Sequence, residues 1–85
     1  MPTLLRVAGG FSVSIYVNDH RPAHVHVWGP DGRCVFNLNC PDGPLALREV
    51  TGSITIDRAR RIEREITPKV GALCFAWRRI HGHYH

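Results

Sequence analysis

The sequence predicts a small α+β domain: an antiparallel sheet of four to five strands with a C-terminal helix packed on one face. Two patterns and one bound carry that expectation. Residues 1–50 break into short segments with alternating apolar side chains, separated by turns rich in Gly, Pro, Asn and Asp. From Ile56 the period changes. Ile56, Ala59, Ile62, Ile66, Val70, Leu73, Trp77 and Ile80 fall three or four residues apart, which is one apolar stripe on a helix. Length supplies the bound, since 85 residues leave room for a single core. Residues 1–85 are therefore read as one domain, with sheet over 1–50, a helical region over 54–81 and a disordered tail over 82–85.

Thr3 to Val7 reads as a short strand, closed by Gly9-Gly10. Phe11 to Val17 alternates, with Phe11, Val13, Ile15 and Val17 on one face and Ser12, Ser14 and Tyr16 on the other. Asn18 to Pro22 is a turn, because Asn and Asp tolerate turn geometry and proline cannot continue a ladder. In the next strand, Ala23 to Trp28, Val25 and Val27 point inward while His24, His26 and Trp28 take the opposite side. Gly29-Pro30-Asp31-Gly32 is a hairpin loop and not a phosphate loop, since no G-K-[ST] follows it. Arg33 to Leu38 returns, Asn39 to Pro44 forms a second loop, and Leu45 to Val50 gives an edge strand. Thr55 suits the N-cap of the helix. Pro68 interrupts it off the apolar stripe, which predicts a kink or two abutting helices, with Thr67-Pro68 as N-cap and N1 of the second. A helix covering the Val13, Ile15, Val25, Val27 and Phe36 side leaves Ser14, Tyr16, His24 and His26 together on an open face.

Composition narrows the class. Hydrophobic residues at 44% and charged residues at 21% exclude a disordered chain. No apolar run approaches a membrane span, and Met1 to Arg6 is too short for a signal peptide. Three cysteines, odd in number and without a C-x-x-C pair, predict free thiols in a reducing cytoplasm. Cys34 and Cys74 read as core. Cys40, in a loop beside Pro41, has no neighbouring base to activate it. A domain this small gains stability from a bound metal or a second copy, so zinc and a homodimer are both expectations. The formal charge of +4 arises entirely from Asp57 onward, where seven basic residues face three acidic ones. Such a helix face suits nucleic acid or an acidic partner. Its plainer reading is a solvated surface with local ion pairs such as Arg61 with Glu65.

The chemistry concentrates in Asp19-His20-Arg21-Pro22-Ala23-His24-Val25-His26. His24 and His26 are two apart, so a strand presents both imidazoles on one face. His20 sits across the proline turn from them, and Asp19 precedes it. A further alternating set, His81, His83 and His85, lies at the C-terminus, where fraying is the default.

Met1-Pro2-Thr3, Ile15-Tyr16, the Asp19-His20-x-Pro22-x-His24-Val25-His26 element, Leu73-x-x-x-Trp77 and Ile80-His81-Gly82 together resemble the small bacterial family catalogued as domain of unknown function 4160. The likeness spans nearly the whole chain. Its specific part is a D-H-x-P-P-H-x-H motif, in which Ala23 here replaces the second proline. The resemblance implies this fold outline and a place in toxin–antitoxin-like operons beside a cognate small protein. It implies no established activity.

Three readings of the cluster follow. In the first, His20, His24 and His26 present three nitrogens to Zn²⁺ and leave a fourth position open to water, with Asp19 either a fourth ligand or the acceptor that orients His20. In the second, two of His20, His24 and His26 act as general base and acid in RNA cleavage. Arg21 or Arg33 would then stabilise the charged intermediate, and Tyr16 or Trp28 would hold a base. In the third, the same face is a non-enzymatic interface for a protein partner. The plainest alternative is a pair of exposed strand histidines with no special role.

Overall fold

The computed structural model describes residues 3–7, by their backbone, and residues 10–82. The strands are β1 (Thr3–Val7), β2 (Phe11–Ser14), β3 (His24–Gly29), β4 (Gly32–Asn37) and β5 (Ala46–Gly52). They are followed by α1 (Ile56–Ile66), a 3-10 turn (Thr67–Lys69) and α2 (Val70–His81). The sheet is an antiparallel meander in chain order, β1-β2-β3-β4-β5. The α+β expectation therefore holds, with five strands.

The β3–β4 hairpin sets the register of the functional strand. Gly29 pairs with Gly32 around Pro30-Asp31, which places Val27 opposite Cys34, His26 opposite Val35 and His24 opposite Asn37. Val25 and Val27 join Phe11, Val13, Ile15, Cys34, Phe36 and Leu38 in the core. Gly29 has no tolerance for a side chain, because a Cβ there would run into the ring of fully buried Phe11.

β2 ends three residues earlier than the alternation predicts. The Tyr16 amide donates to Asp19 Oδ2 at 2.9 Å, and the Asp19 amide donates to the Tyr16 carbonyl at 3.1 Å. That local closure starts the turn at Tyr16, and Val17, expected on the buried face, is 77% exposed.

Thr55 caps α1 as expected, its Oγ1 accepting from the Arg58 amide at 3.1 Å. The proline break resolves into a 3-10 turn that carries Pro68 in its opening positions. Thr67 does not cap the second helix; its hydroxyl donates to the Glu63 carbonyl at 2.7 Å and closes the first one. Ala59, Ile62, Ile66, Val70, Leu73 and Trp77 nonetheless form one buried stripe across both helices. Outside it, Arg60 pairs with Glu63, Arg61 with Glu65 and Arg58 with Asp31, which supports the plainer reading of α1. Among the described residues, no helix is long and apolar enough to cross a membrane.

Two expectations are corrected. Cys40 and Cys74, 34 residues apart, form a disulfide that ties the β4–β5 loop to α2. Only Cys34 is a free thiol, and it is buried in the core. Sequence spacing is blind to a pair created by the helix folding back on the sheet. The second correction concerns the histidine face. His24 is buried, at 6% exposure, because Trp77 of α2 packs against its ring. His81 is the last residue of α2, which is followed by left-handed Gly82; His83 and His85 fall outside the described residues.

Candidate functional site

The site is built on the β2–β3 turn by one carboxylate with two duties. Asp19 Oδ2 accepts the Tyr16 amide and fixes the turn. Asp19 Oδ1 faces both strand histidines, 3.0 Å from His26 Nε2 and 3.6 Å from His24 Nε2. The Asp19 side chain is 10% exposed and that of His26 14%, so the contact is shielded from bulk water.

The hydrogen-bond pattern fixes the His24 tautomer. His24 Nδ1 lies 2.8 Å from the Pro22 carbonyl, and a carbonyl only accepts, so Nδ1 carries a hydrogen. In neutral His24 the Nε2 lone pair is then directed at the Asp19 carboxylate. Burial pushes the His24 pKa below 6.5. The Pro22 carbonyl and the Asp19 charge oppose that shift without overcoming it, while His26 and Arg48 add to it. A lone pair and an anionic oxygen thus face each other where protonation is disfavoured.

The aromatic rings form a closed circuit. Tyr16 lies 4.8 Å from His26, His26 5.1 Å from His24, His24 5.3 Å from Trp77 and Trp77 4.0 Å from His81 (ring centroids). His81 Nε2, at 3.2 Å, donates to the Tyr16 carbonyl and closes the loop. Three buried polar atoms around this circuit find no hydrogen-bond partner among the described residues: His26 Nδ1, Asn37 Oδ1 and Trp77 Nε1.

Of the residues singled out in the sequence, Asp19, His24, His26 and Tyr16 come together. His20 is exposed on the turn and lies outside the group, and Asp19 bonds His26 instead of orienting His20. Arg21 is exposed. Arg33, on β4 opposite Trp28, is engaged away from the cluster, bonded to Glu49 at 2.7 Å and stacked 5.3 Å over Trp28. Trp77, His81, Asn37 and Arg48 were not anticipated at the site. A signal existed for Asn37 alone: counting back five residues on each strand from the Gly29–Gly32 turn puts it opposite His24.

Among the described residues, Asp19, His24 and His26 offer ligand atoms that all lie within 4.8 Å of one another. Two imidazoles and a carboxylate suit a divalent transition metal and leave coordination positions for other ligands. The Pro22 carbonyl supplies the outer hydrogen bond that a ligating histidine usually makes through its second nitrogen.

A five-stranded meander backed by two helices, with a shielded histidine–carboxylate cluster at its β2–β3 turn, defines the class of this domain. The model of the family described as a domain of unknown function, DUF4160, matches residues 10–84, and the chain belongs to that family. No curated protein and no solved structure matches it.

Proposed function

We propose that this protein is a metal-binding domain in which Asp19 Oδ1, His24 Nε2 and His26 Nε2 hold a zinc-type divalent ion. One observation carries the reading. The His24 Nε2 lone pair faces Asp19 Oδ1 across 3.6 Å, in surroundings that disfavour the proton which would otherwise relieve the repulsion. A cation between them satisfies both atoms. With Nε2 of His26 also given to the metal, its Nδ1 becomes a donor instead of a buried acceptor.

Three protein ligands with an open position are the arrangement of hydrolytic metal sites, where bound water is activated near neutral pH. Hydrolysis of RNA by a toxin-like partner in a two-protein cytoplasmic module is the finer form of this reading. Exposed His20 and Arg21 lie on the same turn, where they would meet a phosphate. Metal-free acid–base cleavage is less well supported, because both Nε2 atoms are aimed at one carboxylate oxygen instead of at opposite sides of a substrate.

A second reading, a non-enzymatic interface for a cognate protein or a second copy, is favoured by Trp28. It stands 43% exposed at the end of the same strand face.

Calorimetric titration of tag-free protein with Zn²⁺ tests the proposal. One ion per chain is expected, with binding lost in Asp19→Ala and in His24→Ala. Binding that survives both substitutions overturns it. Degradation of bulk RNA by the zinc-loaded protein, abolished by chelator, separates the hydrolytic form from a purely structural metal.

A further inference from the structure

We propose that the Cys40–Cys74 disulfide is a redox-modification site that sets the affinity of the Asp19–His24–His26 centre for its metal; the inference rests on the metal reading of that centre. The bond joins the two walls that enclose His24. On one side, Cys74 lies one helical turn before Trp77, whose ring rests against His24. On the other, Cys40 lies three residues after Asn37, the cross-strand partner of His24. Between them, the Leu38 amide donates to the Ala23 carbonyl at 3.0 Å, immediately before His24 on β3.

The metal ligands themselves all come from residues 19–26. Neither wall supplies a ligand, so the walls' contribution is to bury His24 and hold its ring in place. Among the described residues, the disulfide is the covalent link between these walls. α2 reaches the site through Trp77 and through the bond from His81 to the Tyr16 carbonyl. Loosening α2 admits water to His24 and removes its fixed orientation.

The two sulfurs differ in access. Cys74 is buried at 1% exposure, whereas Cys40 is partly exposed in its loop. A dithiol reductant therefore attacks the Cys40 sulfur. Its thiolate forms a mixed disulfide with Cys40, and Cys74 leaves as a thiolate and takes up a proton. The second thiol of the reductant then displaces Cys40, which is protonated in turn. Two electrons and two protons pass to the protein, and the dithiol becomes a disulfide. Because the coupling is reciprocal in free energy, a bound metal must protect the bond by the same factor that the bond strengthens metal binding.

Zinc affinity is measured by competition with a chromophoric chelator on the oxidised wild-type chain and on Cys40→Ser/Cys74→Ser, which offers zinc no sulfur ligand from these positions. Weakening of about tenfold in the variant is expected, with far-ultraviolet circular dichroism reporting a folded chain. Equal affinity in the two proteins overturns the inference and leaves the metal reading standing. Absence of zinc binding by the oxidised wild type overturns both. Should the double variant fail to fold, the wild-type chain alone decides. The position of the thiol–disulfide equilibrium in glutathione redox buffers, read by thiol alkylation and mass, is expected to shift several-fold toward the disulfide on zinc loading. Asp19→Ala is expected to lose that shift. An identical equilibrium with and without zinc refutes the coupling.

Discussion

At the scale of single residues, the paired strand histidines and the adjoining aspartate were legible, because period-two spacing puts His24 and His26 on one face whatever the rest of the fold does. The part played by His20 was not. Its direction depends on the Asp19–Tyr16 hydrogen bonds, which shape the turn and leave His20 in solvent. The buried state of His24 has a measurable consequence in chelator-treated protein. Its folded-state pKa lies below 6.5, so just under that pH the unfolded chain takes up a proton that the folded chain refuses. Stability is therefore full above the unfolded value and falls as the pH drops toward the folded one. Urea midpoints between about pH 7.5 and about pH 5.5 should decline on the acid side. His24→Gln should flatten that part of the slope, and an undiminished slope in the variant would assign the effect elsewhere.

At the scale of elements, the alternation of β2 and β3 and the stripe across α1 and α2 were readable because each is a local period. Their ends were less so. Thr67 has the composition of an N-cap, yet its hydroxyl bonds backward to Glu63, since the 3-10 turn around Pro68 leaves the last carbonyls of α1 in need of donors. Two substitutions test the elements directly. Gly29→Ala forces a methyl group into Phe11, a ring that also carries the Arg58 guanidinium 5.1 Å from its centroid. Overpacking of this kind costs about 1–3 kcal/mol, to be read from denaturant unfolding. Thr55→Ala removes the acceptor for the Arg58 amide and should cost about 1 kcal/mol, with Thr55→Ser largely neutral.

At the scale of the whole molecule, chain-order pairing of the five strands was legible from short turns, as sequential hairpins leave little freedom in strand order. The closure of α2 over His24 and the Cys40–Cys74 link were not, because both depend on where the second helix lands after the proline break. Closing a 34-residue separation, the disulfide should contribute about 4 kcal/mol by restricting the unfolded chain. Cys40→Ser/Cys74→Ser is expected to lower the urea midpoint accordingly; an unchanged midpoint would mean the bond adds nothing to a domain whose size leaves little stability to spare. The divided carboxylate of Asp19 has one last consequence. Its Oδ2 holds the Tyr16 amide while its Oδ1 meets the histidines, so charge drawn from one oxygen is felt at the other. The Tyr16 amide proton thereby becomes a built-in reporter, its NMR resonance registering what happens at the centre without any label placed there.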